Sequence, residues 1–134
     1  MRPGGYPKGV QARAWVEVDL AALWANYRLL AGRAGGEVIP VLKADAYGHG
    51  ALPLARFLEG KGVGRFAVAT LEEGRRLREG GIKGEVLLLG SLHPLEAEEA
   101  LRLGLVPTLS NLEAAEALSQ RARALGLVPR AHLK

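Results

Sequence analysis

A short aliphatic run followed by an amphipathic helical pattern, repeated at intervals of roughly 20–26 residues, is the feature that most constrains what this chain can fold into. The runs occupy residues 37–43, 65–69, 85–90, 105–109 and 128–134, and the helical patterns fall near 51–60, 71–80, 94–103 and 111–125. Most of the runs are continuous rather than alternating, the signature of strands buried on both faces. Local chemistry supports the helix starts. Thr70 with Glu73 and Ser110 with Glu113 have capping-box spacing, and Pro94 sits at a first helical turn, where its missing N–H costs nothing. Upstream, Trp15–Val18 alternates and reads as a short strand. Asp19 then stands at an N-cap, and Leu20, Leu23, Trp24, Tyr27 and Leu30 define a helix to about Ala34, which Gly35-Gly36 ends.

Right-handed crossovers turn such a repeat into a parallel sheet covered by helices, an α/β fold. Two architectures satisfy it: an open doubly wound sheet, or part of a (β/α)8 barrel. A complete barrel takes about 250 residues. The chain stops at Lys134 inside a strand pattern, which favours about five βα units of a larger TIM-type barrel. The expected organisation is a flexible leader over 1–14 and an N-terminal barrel portion over 15–134, with the C-terminal barrel half and any further domain absent.

Composition removes whole classes of function. With no cysteine in 134 residues, disulfide frameworks, iron–sulfur clusters, zinc ribbons and thiol nucleophiles are excluded. The longest aliphatic run, Val86-Leu87-Leu88-Leu89, is far too short to span a bilayer. The net charge of +4 comes from dispersed arginine, often beside acids as in Glu72-Glu73-Gly74-Arg75-Arg76, and aromatics are only 5%. Neither a basic block nor a stacking surface for nucleic acid results. The arginine excess and the scarcity of Asn, Gln and Met hint at a thermophile.

The segment richest in chemistry is Val41-Leu42-Lys43-Ala44-Asp45-Ala46-Tyr47-Gly48-His49-Gly50. A lysine closes a buried strand, and in either architecture the carboxyl ends of parallel strands build the site. A lysine partly desolvated there has a lowered pKa and can form a Schiff base. The glycines allow close backbone approach, the helix beginning near Ala51 can aim N–H groups at a phosphate, and Tyr47 can donate to the same anion. Together these are what pyridoxal phosphate requires. Read without that cofactor, Lys43 is a solvated strand-end lysine and Gly48-His49-Gly50 a turn.

The stretch resembles the cofactor motif near the start of bacterial alanine racemases, a lysine followed by Ala-Asn/Asp-Ala-Tyr-Gly-His-Gly. The resemblance extends to Trp15–Leu20 with Leu23 and Asn26, to Phe66–Gly74, to Leu87–Gly90 and to His132-Leu133-Lys134, and so covers about residues 13–134. It implies that Lys43 bonds pyridoxal 5'-phosphate and serves as the base on the D-alanine face. It implies that Tyr47 hydrogen-bonds the phosphate, that Leu89 (or Leu87) lines the pocket behind the cofactor ring, and that Lys134 is a lysine carbamylated in some members. Asp45 stands where the family frequently has Asn. The implied reaction is interconversion of L- and D-alanine for cell-wall synthesis by a cytoplasmic homodimer. The family's second base, a tyrosine, lies outside this chain, so the isolated chain is expected to be inactive as a racemase.

Other candidates have plainer readings. His49, His93 and His132 come from three separate segments without metal-ligand spacing, and no metal site is assigned. Ser91 and Ser110 follow strand ends without a nucleophile elbow and are assigned to helix starts. Glu72 and Glu73 diverge as neighbours on a helix, and Gly60–Gly64 follows a helix, the reverse of a phosphate loop. Two alternatives to a racemase segment stay open: a non-catalytic pyridoxal-phosphate-binding barrel protein of cofactor homeostasis, and a structural fragment that self-associates through open strand edges.

Overall fold

The computed structural model describes residues 14–134. The expected leader lies outside them, apart from Ala14. The elements in chain order are α1 (Leu20–Ala34), α2 (Lys43–Tyr47), α3 (Ala51–Glu59), β1 (Arg65–Val68), α4 (Leu71–Glu79), β2 (Glu85–Ser91), a 3-10 turn (Pro94–Glu96), α5 (Ala97–Arg102), β3 (Leu105–Leu109), α6 (Leu112–Leu125) and β4 (His132–Leu133).

Strand order decides between the two architectures. The four strands are all parallel and adjacent in the order β1-β2-β3-β4. Beyond β1 the chain at residues 40–42 continues the series. Val41 forms a parallel bridge with Ala67, Leu42 N–H donates to Ala67 O at 2.7 Å, and Ala67 N–H donates to Pro40 O at 2.9 Å. Spatial order therefore equals chain order throughout. A doubly wound sheet reverses at a switch point, whereas strands of a (β/α)8 barrel succeed one another. The chain is a segment of such a barrel.

Alternation along each strand separates two faces. Leu42, Phe66, Val68, Val86, Leu88, Leu105 and Leu109 pack outward against Leu54, Leu58, Leu77, Leu101, Ala114 and Leu118 of the helices, forming the main core. Each buried aliphatic side chain there contributes about 1.5–3 kcal/mol. Ala67, Leu87 and Val106, with Ile39 against them, form a second, smaller cluster on the inner face.

Local chemistry sets most boundaries where the sequence expects them. Asp19 Oδ1 accepts the Ala21 and Ala22 N–H groups and Gly35 ends α1 at φ +64°. Thr70 and Glu73 close a reciprocal capping box on α4. Several arginines form ion pairs, Arg75 with Glu72 and Glu99, Arg65 with Glu37 and Glu85, and Arg102 with Glu98, which suits a surface role for that charge.

Four local expectations are corrected. The run 37–43 gives only a bridge, because Pro40 has no N–H to extend a ladder. The run 128–134 shortens to His132–Leu133 after Pro129. Trp15–Val18 forms no strand, since alternation needs a neighbouring edge and none among the described residues pairs with it. The N-cap of α6 is Asn111, whose side chain accepts the Ala114 N–H at 2.8 Å, so the Ser110–Glu113 box does not form.

Candidate functional site

The carboxyl ends of the strands carry every residue singled out for cofactor chemistry. Lys43 follows the bridging segment, Leu89 lies in the upper half of β2, and Lys134 follows β4, its N–H donating to Leu109 O at 2.9 Å. Leu87 belongs to the inner cluster, and Leu89 follows it where the register of β2 against β3 shifts between Leu87 and Ser91. Leu87 is closed into the inner cluster at 9% exposure, while Leu89 is open at 36%. Of the two, Leu89 is the one with a free surface. Lys134 and Tyr47 are exposed and Lys43 is half-buried.

Lys43 and Tyr47 are brought together by an unusual backbone. The five-residue α2 is not right-handed: Ala44, Asp45 and Ala46 have φ/ψ near +50°/+45°, and Tyr47 has φ +55°. Four consecutive non-glycine residues thus follow a left-handed turn, at a cost of about 1–2 kcal/mol each. The turn sets Lys43 Nζ over the Tyr47 ring, 5.9 Å from its centroid. Ala46 N–H donates to Leu42 O at 2.9 Å, and Gly48, at φ +84°, donates to Ala44 O and Asp45 O. A β-carbon is disfavoured at Gly48 and at Gly50 (φ +86°), which the chain uses to leave the turn and enter α3.

Two carboxylates fasten this turn. Asp45 Oδ1 accepts the Ala51 N–H at 2.7 Å and so occupies the N-terminus of α3. The Ala51 N–H, expected to face a phosphate at that helix start, is therefore taken by the chain's own carboxylate. Glu73 reaches from α4: Oε1 accepts the Ala44 N–H at 2.7 Å and Oε2 accepts the Ala69 N–H at 2.8 Å. Sequence spacing identifies Glu73 only as a local cap. No sequence signal marks its bond to a residue 29 positions earlier.

The remaining candidates have structural partners. His49 Nδ1 lies 2.9 Å from Ala46 O within the turn. His93 Nδ1 accepts the Leu95 N–H, and its own N–H donates to Glu96 at the start of the 3-10 turn. His132 lies exposed in β4. Ser91 Oγ and Ser110 Oγ are 2.5 Å apart across the ends of β2 and β3, so Ser110 uses its hydroxyl on another strand rather than on a helix start. Glu72 pairs with Arg75 and Arg76. Among the described residues, no helix is long and apolar enough to cross a membrane.

A singly wound parallel sheet with a lysine-bearing turn at its carboxyl end defines a barrel-type α/β protein with its site at the strand ends. Known proteins narrow that class. The family profile described as alanine racemase, N-terminal domain, matches residues 18–134. The chain belongs to that family. Alanine racemase from Carboxydothermus hydrogenoformans is 45% identical over 121 residues, covering 90% of this chain and 33% of the relative. The structure of alanine racemase from Streptomyces coelicolor A3(2) superposes with a TM-score of 0.78 at 37% identity, over 87% of this chain and 32% of that one. A histidine racemase from Leuconostoc mesenteroides superposes with a TM-score of 0.76 at 26% identity, over 84% of this chain and 30% of that one. The chain spans about a third of the length of the curated relatives it matches.

Proposed function

We propose that this chain supplies the lysine side of the active site of a pyridoxal-phosphate-dependent alanine racemase. The observation that carries the reading is the pairing of Lys43 with Tyr47 by the left-handed turn, at the carboxyl end of a barrel segment in this family. The donor set fits the cofactor. A half-buried lysine follows a strand end, its amine lies over a phenol that could serve a phosphate, and Leu89 offers an apolar surface.

When bound, the cofactor supplies an electron sink for negative charge at the amino acid's Cα. Lys43 Nζ would hold the cofactor's aldehyde carbon and would carry the Cα proton on one face of the amino acid. The Tyr47 hydroxyl would donate to the phosphate, and Leu89 would give the ring an apolar surface. Lys134 is the residue for carbamylation.

Inversion requires a second proton carrier on the opposite face, which in this reading comes from a partner subunit of a homodimer. Residues 15–134 are assigned to the N-terminal portion of the barrel, and the chain alone is expected to lack racemase activity. Alanine is proposed as substrate because the 45% identical relative is an alanine racemase, whereas the histidine racemase is only 26% identical. The compartment proposed is the cytoplasm.

The test is a covalent trap. The chain is incubated with pyridoxal phosphate and reduced with borohydride, and the modified lysine is mapped by peptide mass. Label concentrated on Lys43 supports the assignment. Label spread evenly over Lys8, Lys61, Lys83 and Lys134 sinks it.

A further inference from the structure

Glu73 is tied to two parts of the molecule at once. Oε2 holds the Ala69 N–H at 2.8 Å and the Thr70 N–H at 3.3 Å, where the chain leaves β1. Oε1 holds the Ala44 N–H at 2.7 Å, one residue after Lys43. Ala44 opens the turn, so its N–H has no preceding turn carbonyl to reach. The left-handed residues that follow are intrinsically unfavourable and persist only where surrounding contacts over-determine them.

We propose that Glu73 is a positioning residue for Lys43: its carboxylate locks the peptide after the lysine to the end of β1, and this fixes where Lys43 Nζ stands in the strand mouth. Both oxygens accept from N–H groups, so the side chain must be an acceptor on both sides. Glutamine is not. Its NH2 would face either Ala44 N–H or the Ala69 and Thr70 N–H groups, donor against donor. Thr70 provides the contrast, because its hydroxyl caps Glu73 N–H at 3.3 Å and touches only the helix side of the arrangement.

The chemical meaning of the inference rests on Lys43 being the cofactor lysine, but its geometric content is measurable without cofactor. Glu73→Gln, Thr70→Ala and the unaltered chain are compared by amide hydrogen exchange at Ala44, by competitive acetylation of Lys43 against Lys61 and Lys83, by thermal melting, and by the pyridoxal phosphate trap. In Glu73→Gln, Ala44 exchange is expected to rise about tenfold or more, as loss of a charge-assisted bond implies, and Lys43 labelling to fall to the level of Lys61 and Lys83. Thr70→Ala is expected to melt earlier while Ala44 exchange and Lys43 labelling stay unchanged.

If Glu73→Gln merely melts earlier, with Ala44 still protected and Lys43 still preferred, the proposal is overturned. If the unaltered chain shows no preference for Lys43 in the trap, the cofactor reading falls. Ala44 exchange and Lys43 acetylation then decide the role of Glu73 alone: a change confined to Glu73→Gln upholds it, and no change overturns it. Should Glu73→Gln fail to fold, Glu73→Asp, which keeps the charge but shortens the reach, carries the same comparison against Thr70→Ala.

Discussion

The two ends of the sheet solve the same problem in opposite ways. At the amino end, the turns entering the strands take their positive φ on glycine: Gly62 at +92°, Gly81 at +88° and Gly104 at +61°. Arg78 ties the second and third together, donating to the carbonyls of Ile82, Gly84, Leu103 and Gly104, while Glu59 Oε1 accepts the Lys83 and Gly84 N–H groups. Burial pushes the Arg78 guanidinium down from its ordinary value, with the charge of Glu59 opposing the shift. At the carboxyl end, positive φ falls on Ala44, Asp45, Ala46 and Tyr47, and carboxylates hold N–H groups instead. Glycine relieves strain where only a chain reversal is needed. Strain is retained where the turn must also carry side chains.

This contrast is open to attack, beginning with the largest expected effect. Arg78→Ala removes a charged donor from four carbonyls and is expected to cost about 3 kcal/mol in denaturant unfolding, with Lys43 still preferred in the cofactor trap. Next come two matched overpackings. A Cβ on Gly84 would meet Gly64 O at 2.8 Å, and one on Gly90 would meet Ala69 O at 2.5 Å. Each alanine variant is expected to lose about 1–3 kcal/mol. Only Gly90→Ala should reduce Lys43 labelling, because Ala69 is held by Glu73. Equal labelling in the two variants would remove the functional distinction between the ends.

Ala44→Gly is expected to raise stability by about 0.5 kcal/mol, the relief of left-handed strain slightly exceeding the entropy lost by glycine, while amide exchange at position 44 quickens and Lys43 selectivity falls. The smallest effect lies away from both ends. The Glu98 carboxyl is held below its usual range by its hydrogen bond from Arg102, then by the charges of Arg102 and Arg121. A depressed folded pKa contributes stability above the unfolded value, about 4.3, and loses it as pH falls through the folded one. The slight difference in melting temperature between the unaltered chain and Arg102→Ala should therefore shrink in acid.

Much of this arrangement is legible in the sequence because it is local. The spacing of Thr70 and Glu73 announces a helix start, and the aliphatic runs at 65–69, 85–90 and 105–109 become β1, β2 and β3 to within a residue. The rest depends on meetings between distant segments. Ala44-Asp45-Ala46 carries no mark of left-handedness in its composition, since alanine ordinarily favours the opposite hand. Its conformation follows from what Glu73 and Asp45 hold. Ser110 and Asn111 are both good caps, and the choice between them turned on Ser91, a residue of another strand. The lysine motif was legible only as a set of residue types at suggestive spacing. Its geometry needed the fold.

The agreement of chain order with spatial order bears on how such a polypeptide is made. At synthesis rates of about 5–20 residues per second, a 20-residue unit takes a second or more to emerge, whereas helices and hairpins form in microseconds. Each new strand here adds to an edge completed by the unit before it. Growth on the ribosome can thus proceed by accretion at one edge, and no early strand must wait for a later one to be inserted between it and its neighbour.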